Sequence, residues 1–294
     1  MANEITRTSV TETVPAEHIP DFVQKHRYAP SLMGNIAWIE QVPPGSGSPF
    51  RWPRHNVLTP NAGSKTEATA SFSNFEHTTD EESCSAGVVG VALDVSREAQ
   101  YDSRAGLPAS MIEEGLRAMQ NRLEADALAT ITGATSTGGA VGDILTIARY
   151  AAGLARFELT NPSDPNVAVI MAPVQWADLL ADIALTASAP ISAANFTELN
   201  AVVPGFKGRF LGANVFVTSN VATETTGRNA VITGVGKGVS GLGIAVWQPT
   251  IAELDPAPIR YADVWVLHAR YGVCLTMNGG ADPARNVTEM ISRA

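Results

Sequence analysis

A strictly alternating strand that leads into a long amphipathic helix constrains this chain more than any other feature. Val89, Val91, Leu93 and Val95 alternate with small or polar residues, which predicts a strand with one buried face. The following segment, LPASMIEEGLRAMQNRLEADALATITG, has apolar residues at helical spacing along about 35 Å of helix. This stripe predicts core packing, and it consists of Ile112, Leu116, Met119, Leu123 and Ala127.

The segments after this helix alternate between the two secondary structures. A second helix is predicted from Asp143 to about Arg156, with its inward face formed by Ile144, Ile147, Ala151 and Leu154. VAVIMAP predicts a buried strand, PVQWADLLADIAL a helix, NVFVTSN a strand, and the last third Gly-punctuated strands. No regular βαβ repeat is present, so the fold class is predicted to be α+β.

The first 80 residues carry too few large apolar side chains to fold alone. In residues 1–49, Trp38 and Ile39 stand among Pro, Gly and Ser, which favours an extended arm lying on another surface, with a disordered tail as the alternative. Residues 50–80 contain two strand-like stretches around the turn sequence PNAGSK and predict a long hairpin. Such a hairpin needs a neighbour to lie on.

Charge and targeting signals restrict the partners and the compartment. The chain has 20 Lys and Arg against 29 Asp and Glu, a net charge of −9, which argues against a sequence-independent grip on nucleic acid. The N-terminus lacks the pattern of a signal peptide, and apolar stretches are too short to span a bilayer. We therefore expect a cytoplasm-like compartment, no membrane, and reduced, partly buried thiols at Cys84 and Cys274.

Catalytic motifs fail on inspection. GVGKGVS has Gly238 where a phosphate loop needs Ser or Thr, and GVSGLG has Leu242 where the nucleophile elbow needs Gly. ATSTG, at Ala134–Gly138, follows a helix instead of a strand, and no Gly-rich loop follows a strand in the dinucleotide-binding pattern. We therefore predict no enzymatic activity, no catalytic residue and no cofactor.

Metal-ligand patterns are equally weak. No pair of histidines has the spacing of a zinc motif; they are His18, His26, His55, His77 and His268. An acidic run could hold a hard cation weakly, but a solvated strand end is favoured; it comprises Glu76, His77, Asp80, Glu81 and Glu82. The sequence therefore predicts no metal site.

Five segments, in this order, resemble one protein family. VALDVSREAQYDS matches a strand that ends before a long helix, through Val95, Ser96, Glu98, Asp102 and Ser103. NRLEADALATITGAT matches the end of that helix, through Glu124, Asp126, Ala127 and Gly133. VIMAPVQWADLLA, FKGRFLGANVFVTSNV and the Gly-interrupted C-terminal strands complete the pattern over about residues 50–285. Together they resemble the major capsid proteins of tailed bacteriophages, which share the Hong Kong 97-type fold.

The resemblance implies a Hong Kong 97-like capsid fold with defined parts. Residues 1–49 would be an N-terminal arm across a neighbouring subunit, and 50–80 an extended β-hairpin loop that overlaps the next subunit. Residues 81–145 would begin the peripheral domain with its long spine helix, 146–254 would form the axial domain, and 255–294 would return as C-terminal strands of the peripheral domain.

The resemblance also implies a function and partners. The chain would self-assemble as hexamers and pentamers into an icosahedral capsid shell around the double-stranded DNA genome of a tailed bacteriophage. For such a shell, the net charge of −9 predicts weak, non-specific contact with the DNA. It would be built in the host bacterial cytoplasm and reside in the virion, with portal and decoration proteins as further partners. Because the spine helix begins near residue 107, a separate scaffolding protein is expected.

Two alternatives to a phage capsid remain open in the sequence, and one family property is disfavoured. An encapsulin-like protein nanocompartment uses a similar fold, and a small soluble hydrolase belongs to another class of protein. Some capsid proteins join subunits by Lys–Asn isopeptide bonds; Lys65 and Asn278 would be the residues here, but no local motif supports the pairing.

Overall fold

A computed structural model describes most of the chain from residue 32 onward. The described residues are 32–55, 79–102, 107–134, 137–160, 166–185, 205–221, 223–224, 227–257, 261–276 and 287–293. Their helices are α1 (Met33–Ile36), α2 (Arg97–Asp102), α3 (Leu107–Ala129), α4 (Ile147–Thr160) and α5 (Pro173–Leu185). A 3₁₀ turn at Thr130–Gly133 ends α3.

The strands fall into three sheets. A two-stranded sheet pairs β2 (Phe50–His55) with β3 (Thr79–Cys84). A four-stranded sheet has the order β1 (Trp38–Gln41), β11 (Leu242–Ala257), β12 (Ala262–Leu275) and β4 (Gly87–Ser96). A seven-stranded sheet has the order β5 (Thr137–Gly139), β13 (Val287–Arg293), β10 (Gly227–Gly234), β6 (Val167–Met171), β8 (Ala213–Val217) and β7 (Phe206–Phe210), with β9 (Thr223–Glu224) beside β10. Helices and mixed sheets confirm the predicted α+β class.

The long helix α3 packs on one face of the four-stranded sheet. Val89 and Val91 of β4 and Tyr271 of β12 pack around Met119 of the helix, so the predicted alternation of β4 is confirmed. Strands β4, β12 and β11 are antiparallel neighbours, which places their alternate residues on common faces. The four-stranded sheet therefore has one face under α3 and one face turned away from it.

The predicted apolar stripe of α3 is right except at Leu116. Met119 and Ala127 are buried, but Leu116 is 36% exposed. A Cβ placed on Gly115 would lie 3.2 Å from the Leu267 side chain and 3.3 Å from that of Leu93. Because Gly115 lets the helix approach the sheet this closely, it takes the inward position of that turn and Leu116 is displaced to the edge.

The seven-stranded sheet is covered by α4 and α5. Every residue of β6 is buried, as predicted, since this strand has packed neighbours on both faces. Helix α4 begins at Ile147 and not at Asp143, and Ile144, which was placed inward, is 48% exposed. The helix begins at Ile147 because its free backbone amide finds an acceptor there: Oδ2 of Asp182 accepts a hydrogen bond from the Ile147 amide at 2.7 Å.

The described part of the N-terminal segment packs in the core of its own chain. Leu32, Met33 and Ile36 are at most 1% exposed, and they contact residues from both large sheets and the end of α3. Strand β1 then pairs in parallel with β11, with Trp38 opposite Gly243. Residues 32–41 therefore pack on their own chain. The expectation that residues 1–49 form an arm lying on a neighbour stays a prediction, and residues 1–31 lie outside the described residues.

The hairpin and the domain ranges have different outcomes. Strands β2 and β3 are antiparallel from Phe50–Cys84 to His55–Thr79. The two ends of the predicted hairpin are therefore paired, but β3 extends four residues beyond the predicted bound at residue 80. Residues 56–78, with the turn sequence, lie outside the described residues. The domain ranges stay a prediction. Residue 254 nevertheless falls inside β11, and β13, which the sequence did not predict, joins the seven-stranded sheet.

Candidate functional site

A buried carboxylate joins three distant parts of the chain. Glu124 of α3 is fully buried, and its Oε2 accepts a hydrogen bond from the Leu32 amide at 2.8 Å. Its Oε1 accepts hydrogen bonds from Thr218 Oγ1 at 2.6 Å and from Asn220 Nδ2 at 3.2 Å. Charge-assisted bonds of this kind are among the stronger ones in proteins. Glu124 therefore ties the N-terminal segment and the end of β8 to the long helix.

An aromatic cluster holds the paired strands β2 and β3 against the four-stranded sheet. Trp52 is 1% exposed, and its ring centroid lies 4.6 Å from that of Trp38 and 5.0 Å from that of Phe50, both in edge-on arrangements. Cys84, Ala245 and other residues of this cluster face away from α3. We call β2, β3 and this cluster the hairpin base.

Two glycines, one in β11 and one in β12, let the hairpin base approach the sheet. A Cβ on Gly243 would lie 2.5 Å from Thr276 Cγ2 and 3.2 Å from the Trp52 ring. A Cβ on Gly272 would lie 2.4 Å from the backbone oxygen of Ser85. Any larger residue at Gly272 would push the end of β3 away from the sheet, so these glycines serve close packing.

The two cysteines are neighbours in the hairpin base, although the sequence separates them widely. Both are free thiols; Cys84 is buried and Cys274 is partly buried. A hydrogen bond with the Cys274 thiol lowers the pKa of Cys84, and the same hydrogen bond, together with burial, raises the pKa of Cys274. The strand register that brings them together is a tertiary property, so sequence spacing carried no signal of this contact.

Several large apolar side chains of the described residues are exposed to solvent. Val88 on the edge strand β4 is 74% exposed, and Tyr101 on α2 is 80% exposed. Leu211 and Leu254, on other elements, are each close to half exposed. Within the described residues, no strand pairs with the outer edge of β4. An open strand edge beside exposed apolar residues is suited to contact with another polypeptide.

The residues considered for chemistry do not form one site. Glu81 forms an ion pair with Arg51 across β2 and β3, as a solvated strand end would, and His268 lies in β12 beside Gln248. Among the residues that the structure describes, no group of His, Cys, Asp or Glu is arranged to hold a metal ion. Glu82 of the acidic run is partly buried in β3. The remaining residues of the run and the other histidines lie outside the described residues or have side chains that are not described.

The sequences inspected for motifs have ordinary structural roles where they are described. Lys237, from GVGKGVS, forms an ion pair with Glu40 of β1. From ATSTG, Thr137 and Gly138 lie in β5. Lys65 and Asn278, the residues of the disfavoured isopeptide pairing, both lie outside the described residues. No helix in the described part of the chain has the length and apolarity needed to cross a membrane.

Comparison with known families shows the family to which the chain belongs. A family model described as phage capsid protein matches residues 81–283, which is more than half of the chain. The chain belongs to the phage capsid protein family. No curated protein sequence matches this capsid protein. The predicted family resemblance is therefore confirmed by the family model and not by a close relative.

Solved structures show that the capsid protein has the fold of phage capsids over nearly its whole length. The head of Helicobacter pylori bacteriophage KHP40 matches with a TM-score of 0.68 at 11% identity, covering 99% of this chain and 97% of that one. The capsid of Ralstonia phage GP4 matches with a TM-score of 0.68 at 10% identity, covering 95% of each. Mycobacterium phage Che8 matches with a TM-score of 0.58 at 17% identity, covering 93% and 96%. These matches fit the Hong Kong 97-like fold, and with the family model they identify a capsid shell protein.

Proposed function

We propose that this chain is the major capsid protein of a tailed bacteriophage, which self-assembles as hexamers and pentamers into an icosahedral shell around double-stranded DNA. The observation that carries the proposal is the phage capsid family model over residues 81–283. The structural matches come from phage particles and favour this function over an encapsulin-like compartment or a hydrolase. A structural shell role needs no catalytic site, cofactor or metal.

The shape of the chain supports assembly through interlocking elements. The hairpin base packs on the four-stranded sheet through its aromatic cluster. Residues 56–78 connect its two strands, β2 and β3. The open edge of β4 with the exposed Val88 offers a surface for a neighbouring copy. Identical subunits in rings use heterologous contacts, in which a protruding element of one subunit meets a different surface of the next.

The charge of the chain supports weak contact with the enclosed DNA. The net charge is −9, and several basic side chains of the described residues form ion pairs with carboxylates. Examples are Arg122 with Asp126 and Arg149 with Asp143, both at 2.8 Å. Because non-specific DNA binding requires unpaired Lys and Arg facing phosphates, this arrangement favours a shell that encloses DNA with little attraction to it.

Negative-stain microscopy of the expressed full chain tests the proposal. We expect closed shells, alone or with the scaffolding protein of the same genome, and we expect their absorbance spectrum to lack a nucleic-acid contribution. Portal and decoration proteins, assembly in the host cytoplasm and residence in the virion belong to the same proposal. Only monomers or small oligomers under all assembly conditions would contradict it.

A matched pair of variants tests the role of the hairpin. Replacing residues 56–78 by a short Gly-Ser linker leaves β2 and β3 able to pair, and we expect a folded subunit that no longer forms closed shells. Lys65→Gln, which keeps the full connection, is the control and is expected to assemble normally and to run as a monomer on denaturing gels. If the shortened variant forms normal shells, the hairpin is not required for assembly.

A further inference from the structure

The cysteine pair is the one reactive arrangement in the described residues that shell assembly does not use. Cys84 ends β3 and faces β12: its Sγ lies 3.1 Å from the position that a Cβ on Gly272 would take. Cys274 is two residues further along β12 and therefore lies on the same face of the sheet. Both side chains pack in the cluster of the hairpin base.

We propose that Cys84 and Cys274 form an oxidation site, at which an oxidant of the peroxide class converts the two thiols into an intramolecular disulfide that staples the hairpin base to β12. The small size of a peroxide matters because Cys84 is only 1% exposed and a bulky reagent cannot reach it. The site has two thiols on different elements packed in one cluster, so it differs from an isolated buried cysteine, which is inert.

The chemistry balances with peroxide as the only co-reactant. The sulfur of Cys84, as thiolate, attacks one peroxide oxygen, the O–O bond breaks, and water and a sulfenic acid at Cys84 are formed. The sulfur of Cys274 then attacks the sulfenic sulfur, the S–O bond breaks, and the second water leaves. Two thiols and one hydrogen peroxide thus give one disulfide and two waters. Cys84 is the first nucleophile because the Cys274 thiol donates a hydrogen bond to it and favours its ionised form.

The staple would act where the hairpin enters the body of the subunit. Without it, the hairpin base is held by apolar packing around Trp52 and by the close approach at Gly272. A covalent link between β3 and β12 prevents the hairpin base from separating from the sheet, and it restricts the unfolded chain over a long loop. Resting on the proposed function, we expect the link to form after release from the reducing host cell, because disulfides persist at virion surfaces.

Mass spectrometry of the folded full chain tests the proposal directly. The folded chain is treated with hydrogen peroxide and then unfolded in denaturant, where free thiols are blocked; we expect a loss of two hydrogen atoms per chain and no blocked cysteine. Tryptic digestion should give one linked pair of peptides, residues 66–97 and 271–285, that separates on reduction. The oxidised protein should unfold several degrees higher than the reduced protein.

The variants Cys84→Ser and Cys274→Ser keep the size of each side chain and provide the controls. In Cys274→Ser, we expect Cys84 to stop at sulfenic or sulfinic acid and the thermal shift to disappear. The linked peptides are sought in the wild type, so a variant that fails to fold leaves the test intact. Two freely blocked thiols after oxidation, or linked chains on non-reducing gels, would overturn the proposal. Because the mass is read on unassembled subunits and on shells separately, failure of assembly and failure of the disulfide remain distinguishable.

Discussion

Glu124→Gln is the substitution that tests best how the long helix holds the N-terminal segment. The two side chains have nearly the same shape, but glutamine offers one acceptor oxygen and an NH₂ group in place of the second oxygen. If that oxygen keeps the bonds from Thr218 and Asn220, the Leu32 amide faces an NH₂ group at a position where the carboxylate now accepts at 2.8 Å. A buried donor without an acceptor costs about 1–3 kcal/mol, and the two remaining bonds lose their charge assistance. We therefore expect about 2–4 kcal/mol of lost stability.

The free energy of unfolding of the unassembled subunit, measured in urea, gives the size of this effect. Glu113→Gln is the matched control, because Glu113 lies on the same helix, has a side chain that is 45% exposed, and forms an i,i+4 ion pair with Arg117 at the surface. Hydrogen exchange at the Leu32 amide gives a local readout, since the bond to Glu124 protects this proton in the wild type. Equal unfolding free energies for the two variants, with unchanged exchange at Leu32, would refute the reasoning.

Two further predictions concern glycine packing and alkaline pH. Gly272→Ala places a Cβ 2.4 Å from the Ser85 backbone oxygen and is expected to destabilise the subunit by about 1–3 kcal/mol, whereas Gly87→Ala, with its nearest atom at 3.7 Å, should leave the urea midpoint almost unchanged. Similar midpoints for the two would contradict a packing role for Gly272. Burial raises the pKa of Tyr150 and of Tyr271 in the folded state, so stability should be complete below about pH 10 and fall as pH rises above it, because only the unfolded state then ionises readily. Urea midpoints measured across that range, unchanged with pH, would argue against this burial effect.

Local patterns predicted the elements whose side chains repeat regularly. The alternation of Val89 and Val91, the helical spacing around Met119 and the apolar run of β6 each specify a buried face without reference to distant residues. The family resemblance added the order of these parts. Leu116 shows where such reasoning ends, because the close approach at Gly115 that displaces it depends on side chains of two strands.

The features that define the candidate site depend on contacts between distant segments. Glu124 matched a family motif in the sequence, but its bond to Leu32 becomes visible only when the N-terminal segment is seen in the core. Strand β13 was missed because its sequence, VTEMISR, carries Glu289, which is buried in the structure. The contact between Cys84 and Cys274 requires both the hairpin base and the register of β12. None of these contacts between distant segments produces a periodic pattern in the sequence.

The Glu124 hydrogen bonds and the Trp52 cluster lie at or near the ends of described segments, next to residues 1–31 and 56–78, and this position suits a subunit of a shell. Residues 1–31 join the body at Leu32, whose amide is bound by Glu124, and residues 56–78 join it through β2 and β3, which Trp52 and Cys84 hold against the sheet. A neighbouring subunit that pulls on either segment would therefore load α3 or the four-stranded sheet directly, because the first contact inside the body is already a buried one. To separate the N-terminal segment from the core, the hydrogen bonds of Glu124 would have to break first. To separate β2 and β3 from the sheet, the Trp52 cluster would have to become exposed first. Under the proposed function, these two buried attachment points would let a subunit resist forces applied through its neighbours.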